Sequence, residues 1–305
     1  MPEQLAEDTW IVSTPVAPIG IAPPQSNCVV LADADGLHLV DPGEGTDAAV
    51  AALEAGLAEL GFDLGDVRSV TATHLHRDHF GMADRIRERS GSEVVLHRIE
   101  QEALDSGRHG LRSDAATIER WGVPDDRRED LLSLPEQTAP VPDAATLLVE
   151  DGDRLPLPTR TLRVIHTPGH TSGHICLHES TTGLLLLGDH VLFDQFPGVG
   201  LGGPSENPLG DYLASLDRIP LDELEHVVPG HGVADAPLTE RVAMIRAHHA
   251  RRTAEARAAR ASLGADATVW EVASRLSWSR GWDGLHDRAL RSALAQTEMH
   301  LALVG

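Results

Sequence analysis

The sequence predicts an α/β protein, an αββα sandwich followed by a small helical C-terminal domain. Three observations predict it. Short apolar runs of strand length recur in two groups, at 10–97 and 147–187, with helical segments between and after them. Runs of His, Asp and Gly stand where several of these strands end, the loop-on-scaffold placement of functional residues. From Pro237 the composition turns Ala- and Arg-rich and the pattern becomes helical. This sets the expected division: a larger domain over 1–236 with a helical insertion at about 99–134, and a helical tail over 237–305.

The elements follow in order. Trp10–Ser13, Cys28–Ala32 and Leu37–Val40 read as strands, with Asp33-Ala34-Asp35-Gly36 as a turn and Asp41-Pro42-Gly43 closing the hairpin. Thr46 caps a helix that runs to about Leu60 and stops at Gly61. Val67–Thr73 is a strand, Phe80–Arg89 a helix, and Glu93–His97 another strand. The insertion carries Ala103, Leu104, Leu111, Ile118, Trp121, Leu131 and Leu132 at irregular spacing, broken by Gly107, Gly110, Gly122 and Pro124. Short helices are expected there, forming either a wall beside the site or a purely structural insertion. Pro135–Pro142 is a connector.

In the second group, Leu147–Glu150, Leu162–His166, Ile175–His178 and Leu184–Leu187 read as strands and Leu209–Ile219 as a helix. The Gly- and Pro-rich stretch Phe193–Pro208 leaves from Asp189 and is expected to overhang the site. Phe193 and Phe196 either meet substrate there or anchor the loop, the second being the plainer account. The tail reads as helices over Leu238–Ser262, Val269–Leu276 and Leu285–Leu303, with Gly281-Trp282-Asp283-Gly284 as a turn.

The chemistry concentrates in Thr73-His74-Leu75-His76-Arg77-Asp78-His79, an H-x-H-x-D-H pattern. In an extended segment alternate side chains share a face, so His74 and His76 grip one cation. Asp78 and His79 follow where the chain turns and face a second. Imidazole and carboxylate suit zinc, and also iron or manganese. Matching ligand types recur downstream, where apolar runs stop at Gly or Pro: His170 in Pro168-Gly169-His170-Thr171-Ser172-Gly173-His174, Asp189 in Gly188-Asp189-His190, and His231 in Pro229-Gly230-His231-Gly232.

As a group these motifs resemble those of the metallo-β-lactamase superfamily, and within it the glyoxalase II-like hydrolases, over roughly Ile11 to His231. The resemblance implies that His74, His76 and His170 hold metal one, that Asp78, His79 and His231 hold metal two, and that Asp189 bridges them. It implies two divalent ions, zinc first with iron or manganese as substitutes. Their shared water, made acidic by ions about 3.5–4 Å apart, would attack a carbonyl or phosphoryl centre. Asp78 would ligate and orient that water. His174 would support a ligand from behind rather than bind metal. A carboxylate at the bridge departs from the lactamases proper, which carry Cys there, and neither Cys28 nor Cys176 occupies a ligand position. The tail resembles the winged-helix-like extension of a lactamase-β-2-like branch, although the chain reaches Gly305 before a β-wing. Packing or pairing into a homodimer is therefore expected of it rather than DNA reading.

Composition bounds the rest. A 41% hydrophobic content supports a buried core, and with aromatics at only 3% that core must be aliphatic. All 25 Lys+Arg positions are arginine, which excludes Schiff-base chemistry. A net charge of -22 disfavours nucleic acid and anionic membrane as partners and leaves a small molecule as the expected one. Cys28 and Cys176 sit in apolar runs and are expected to be buried thiols. The acidic N-terminus lacks a signal-peptide pattern and no apolar run reaches the roughly 18 residues of a membrane span, so a cytoplasmic location is expected. With 17 histidines, position in a motif must decide which ones matter. His190 is expected to pack. His97, His109, His178, His226, His248, His249, His286 and His300 have no partners at ligand spacing. Tyr212, the lone tyrosine, is expected to pack, with a hydroxyl donor to substrate as the alternative.

The leading expectation is a binuclear hydrolase of a small thioester or lactone. The alternatives are an RNA nuclease of the same fold, a single-iron persulfide dioxygenase using His74, His170 and Asp189 as a facial triad, and a binding protein on an inactive fold.

Overall fold

The computed structural model describes residues 1–17, 24–108, 110, 114–132 and 145–303. His109, Leu111, Leu134 and the expected connector Pro135–Pro142 lie outside the described residues.

Strands β1 (Glu3–Ala6), β2 (Thr9–Pro15), β3 (Gln25–Asp33) and β4 (Gly36–Val40) form an antiparallel meander. β1 was not expected from the acidic N-terminus. Helix α1 (Asp47–Glu59) begins as expected at Thr46, whose hydroxyl accepts the Ala49 N–H. β5 (Val67–Thr71) then joins β4 in parallel. The helix expected over Phe80–Arg89 is two: α2 (Arg77–Phe80) and α3 (Ala83–Ser90). They part at Gly81, where a Cβ would lie 2.2 Å from the Arg77 carbonyl and 3.0 Å from the Gly45 nitrogen. β6 (Glu93–His97) is parallel to β5.

The insertion supplies α4 (Arg98–Asp105), α5 (Ala115–Arg120) and α6 (Asp125–Leu132). β7 (Leu147–Val149) follows and pairs in parallel with β6. The expected grouping by sequence is therefore corrected: β7 belongs to the first sheet, which runs β1 through β7 in chain order. Long-range pairing fixes that choice, and local pattern carries no trace of it.

The second sheet holds β8 (Arg163–His166), β9 (Ile175–Glu179), β10 (Leu184–Gly188) and β11 (His226–Pro229), with β10 and β11 parallel. Helix α7 (Pro208–Ser215) lies between β10 and β11 in sequence. The tail is α8 (Leu238–Leu263), α9 (Val269–Ala273) and α10 (Asp287–Ala302). Among the described residues, no helix is long and apolar enough to cross a membrane.

Three apolar clusters build the four layers. Leu53, Leu57 and Ile86 of α1 and α3 pack on Val30, Leu39 and Val70 of the first sheet. Val29, Leu31 and Val95 on its other face meet Val164, Leu177 and Leu186 of the second sheet. Cys176, Leu185 and Leu187 on the far face meet Leu209, Tyr212, Val242 and Ile245 of α7 and α8. The run Leu184–Leu187 shows why a continuous apolar segment marks this strand: alternate leucines face opposite layers, and both layers are dry.

The insertion splits in role. Ile118, Trp121, Val123 and Leu131 of α5, α6 and the link between them pack on Ala273, Leu285, Leu290 and Leu294 of the tail. This segment is tied to the tail by packing, whereas α4 reaches the site through Glu100.

Candidate metal centre

The seven residues singled out by motif converge at the carboxyl ends of strands from both sheets. His74, His76, Asp78 and His79 follow β5, His170 lies between β8 and β9, Asp189 follows β10 and His231 follows β11. His74, His76 and His170 present ligand atoms within 4.8 Å of one another, as do Asp78, His79 and His231, and as do His74, His79 and Asp189.

Asp189 lies across the two sets. Its Oδ1 is 3.5 Å from His79 Nε2 and 3.5 Å from His231 Nε2, and its Oδ2 is 3.7 Å from His170 Nε2. Buried Oδ1 has no hydrogen-bond partner, an uncommon condition for a buried carboxylate oxygen.

The five imidazoles share one arrangement. Each places one ring nitrogen against an oxygen and the other toward the centre. His74 Nδ1 is 3.1 Å from Thr73 Oγ1, and His79 Nδ1 is 2.9 Å from Asp41 Oδ2. His170 Nδ1 is 2.8 Å from the Gly198 carbonyl and His231 Nδ1 is 2.7 Å from the Gln25 carbonyl. His76 is turned the other way, with Nε2 3.2 Å from the Leu201 carbonyl. Donation of the outer N–H to these oxygens turns the other ring nitrogen inward, the orientation that ligation requires. The inner nitrogens crowd together: His76 Nδ1 is 2.9 Å from His74 Nε2 and 3.0 Å from His170 Nε2. A tetrahedral zinc with bonds of about 2.0–2.1 Å sets such atoms roughly 3.3 Å apart. The donor set, its inward ring nitrogens and the orphaned Asp189 oxygen fit a divalent ion in each cage.

Electrostatics divides the cages. Burial, reinforced by neighbouring imidazoles, holds His74 well below the usual histidine range and His170 down to about 4. In the other cage burial is the largest single influence and opposes charge, but the surrounding carboxylates together overcome it: Asp189 with Asp41 pushes His79 up to about 9, and Asp189 with Asp78 pushes His231 up to about 11. Burial alone would raise the Asp78 and Asp189 carboxyls, yet His231 and His79 hold both below the ordinary carboxylate range. Asp78 faces the opening: its side chain is 18% exposed, against 0% for His79 and 1% for His231.

His174 lies beside Asp189. It is fully buried, and its Nε2 accepts the Asp189 N–H at 3.1 Å, so Nδ1 carries the proton and donates to Thr167 Oγ1 at 2.9 Å. Gly188 permits that approach. Its φ is +50°, and a Cβ would stand 2.6 Å from Thr73 Oγ1 and 2.7 Å from His174 Nε2.

Other expected positions resolve differently. His190 is fully buried. Tyr212 is also fully buried and its hydroxyl donates to the His190 carbonyl at 2.8 Å, which removes it as a substrate donor. Phe193 packs in the core under α8, while Phe196 is 41% exposed and stacks on His248. Both therefore anchor the loop. Cys28 and Cys176 are buried, and desolvation pushes both thiols up, Cys176 to about 12. His97 joins no candidate ligand group among the described residues. It stacks on His166 with ring centroids 4.4 Å apart, and its Nδ1 accepts the Ile99 N–H.

Three residues escaped the motif reading. Asp41 accepts the Thr73 N–H, the Thr73 hydroxyl and the His79 ring, all within 2.9 Å. It follows an apolar run and precedes Pro-Gly, the same signal that marked the ligands, so the sequence did announce it. Asn27 donates to the carbonyls of Pro229 and Gly232 and so clasps the His231 loop. Glu100, fully buried on α4, accepts the Leu75 and Gly173 N–H groups, and nothing in its local sequence marks it.

Comparison with known proteins covers the segment that carries these residues. The family model described as the metallo-beta-lactamase superfamily matches residues 21–231. A Bacillus subtilis (strain 168) protein named probable metallo-hydrolase YqjP is 29% identical over 230 residues, 71% of this chain and 69% of that one. The Homo sapiens acyl-coenzyme A thioesterase MBLAC2 is 31% identical over 172 residues, 52% of this chain and 54% of the relative, so the match spans about half of each. The crystal structure of a metallo-beta-lactamase family protein from Thermus thermophilus superposes with a TM-score of 0.71 at 30% identity, covering 99% of this chain and 94% of that one.

Proposed function

The chain belongs to the metallo-β-lactamase superfamily, and from that premise we propose that it is a binuclear metal-dependent hydrolase of a small thioester or lactone. The observation that carries this is Asp189, one carboxylate spanning two three-residue cages with no protein donor for its Oδ1. His74, His76 and His170 would hold the first ion, and Asp78, His79 and His231 the second. When bound, the ions supply Lewis acidity and a water made acidic near neutral pH.

The chain's own residues do the rest. Outer hydrogen bonds fix the orientation of each imidazole, and the inner protons that the neighbouring acids hold on His79 and His231 would be displaced on binding of a second ion. His174 fixes the Asp189 backbone and so the pitch of the bridging carboxylate. Asp78, the partly exposed acid, orients the attacking water toward the electrophile. A carboxylate at the bridge in place of thiolate gives an all-oxygen and nitrogen ligand set, which favours zinc and admits iron or manganese.

The thioester preference is supported by the name of the human relative, and the lactone follows from the same acyl chemistry. Elemental analysis of the purified chain tests the reading together with turnover of a thioester and lactone panel. Two equivalents of divalent metal per chain and chelator-sensitive turnover are expected. A site that takes up no zinc, iron or manganese in excess would overturn it. One equivalent of iron with sulfur oxidation would favour the dioxygenase instead.

A further inference from the structure

We propose that Glu100 is a positioning residue that fixes the first cation cage by holding both of its ligand loops on one carboxylate, an inference that rests on the metal-centre reading above. Oε2 accepts the Leu75 N–H at 2.8 Å, and Leu75 lies between His74 and His76. Oε1 accepts the Gly173 N–H at 2.6 Å, and Gly173 lies in the turn that carries His170 and His174. These loops come from different sheets, β5 of the first and the β8–β9 connection of the second. One fully buried side chain therefore joins the three residues of one cage across the sandwich.

The chemistry of the contact demands a carboxylate. Both partners are backbone donors, and an ionised acid offers two acceptor oxygens and no donor. Burial pushes the Glu100 carboxyl up to about 7 while the two N–H groups favour its charged form, and an apolar residue in its place would leave both buried donors unpaired. The fit is close on the other side as well. A Cβ on Gly173 would stand 2.7 Å from the Glu100 nitrogen and 2.7 Å from Oε1, which explains the second glycine of the Gly169–His174 motif.

The same turn of α4 makes a second tie to this loop. His97, the N-cap of α4, stacks on His166, and His166 Nε2 donates to the Ser172 carbonyl at 2.9 Å. The first turn of the insertion thus reaches the His170 loop through two independent contacts. Nothing comparable from α4 reaches Asp78, His79 or His231 among the described contacts. A defect at Glu100 should therefore be confined to one ion.

The test separates the cages. In a His231→Ala background, where the first cage alone is complete, Glu100→Gln should weaken zinc binding 10–100-fold, measured by chelator competition, because the amide sets an N–H against one backbone donor. In a His170→Ala background, where the second cage alone is complete, it should leave zinc affinity unchanged. Glu100→Asp keeps two acceptors on a shorter arm and should fall between, and it carries the same comparison if the amide variant does not fold. Equal zinc affinity with and without the substitution in the first background would overturn the proposal. So would equal loss in both, which marks a merely structural role. An unsubstituted chain that binds no metal would overturn the underlying centre and this inference with it.

Discussion

Asp41→Asn tests whether the second cage is set from behind. Asp41 is 3% exposed with φ +52°, a left-handed conformation that asparagine tolerates as well as aspartate, so the backbone can stay in place. Its Oδ1 accepts the Thr73 N–H at 2.7 Å, while Oδ2 accepts the Thr73 hydroxyl at 2.7 Å and His79 Nδ1–H at 2.9 Å. An amide supplies one oxygen for these donors. If that oxygen keeps Thr73 N–H, the amide NH2 faces His79 Nδ1. The imidazole proton is then driven to Nε2, the nitrogen that points at Asp189 and His231. If the oxygen keeps His79, the NH2 opposes a buried backbone N–H. Loss of such a partner lowers metal affinity by roughly 10–100-fold, or about 1.4–2.7 kcal/mol, and the unmade hydrogen bond removes about 1–3 kcal/mol of folding stability. Stepwise zinc competition should show the second equivalent weakened by that factor and the first much less changed, and a thermal melt should show the stability loss. An Asp41→Asn variant that binds its second zinc as tightly as the unsubstituted chain would refute the reasoning.

Asp189→Ala should lose at least one metal equivalent and most turnover, read by elemental analysis and the thioester panel, since both cages face this carboxylate. Tyr212→Phe should cost about 1 kcal/mol in denaturant unfolding, the worth of one neutral hydrogen bond, and leave KM and kcat unchanged, because the hydroxyl is committed to the His190 carbonyl. Acid should destabilise the packing of α8 on α10. Burial, with the neighbouring imidazoles and Arg252, holds His249 down to about 3, and burial with Arg252 holds His300 down to about 4. Both lie below the unfolded value of about 6.5, so the unfolded chain binds more protons between those limits. Stability is then full above pH 6.5 and falls as pH drops, by about 2 kcal/mol per group at pH 5. Replacing His249 with Phe should flatten the fall in melting temperature between pH 7 and pH 5, and an unchanged slope would count against it.

The seven candidate residues were legible because each sits at a local break that sequence records. His74 through His79 crowd into six residues, and Asp189 and His231 each follow an apolar run and a glycine. The strands were legible for the same reason, since Leu184–Leu187 is dry on both faces and its pattern says so. Glu100 was not legible, because its role depends on Gly173 arriving from the other sheet, and a buried glutamate looks locally like an exposed one. The place of β7 was hidden likewise, as its partner is β6 across the insertion. The irregular apolar positions of that insertion find partners in Leu290 and Leu294 of α10, about 160–175 residues away in sequence.

Charge around the centre bears on which electrophile it serves. The chain is strongly acidic, with a formal net charge of -22. The arginine inside the metal motif, Arg77, is paired with Glu44 at 2.9 Å. Arg241, under the loop that leaves Asp189, is 6% exposed and bound to the carbonyls of Leu192 and Gln195. Neither guanidinium is left to receive a phosphate. Arg108, by contrast, is exposed, and its carbonyl accepts the Gly203 N–H two residues beyond Leu201, whose own carbonyl holds His76. A polynucleotide held electrostatically needs a track of phosphate contacts, on the order of six to ten, and binds with steep salt dependence. Among the described residues, Arg77 and Arg241 are committed to Glu44 and to backbone carbonyls and provide no such track beside the centre.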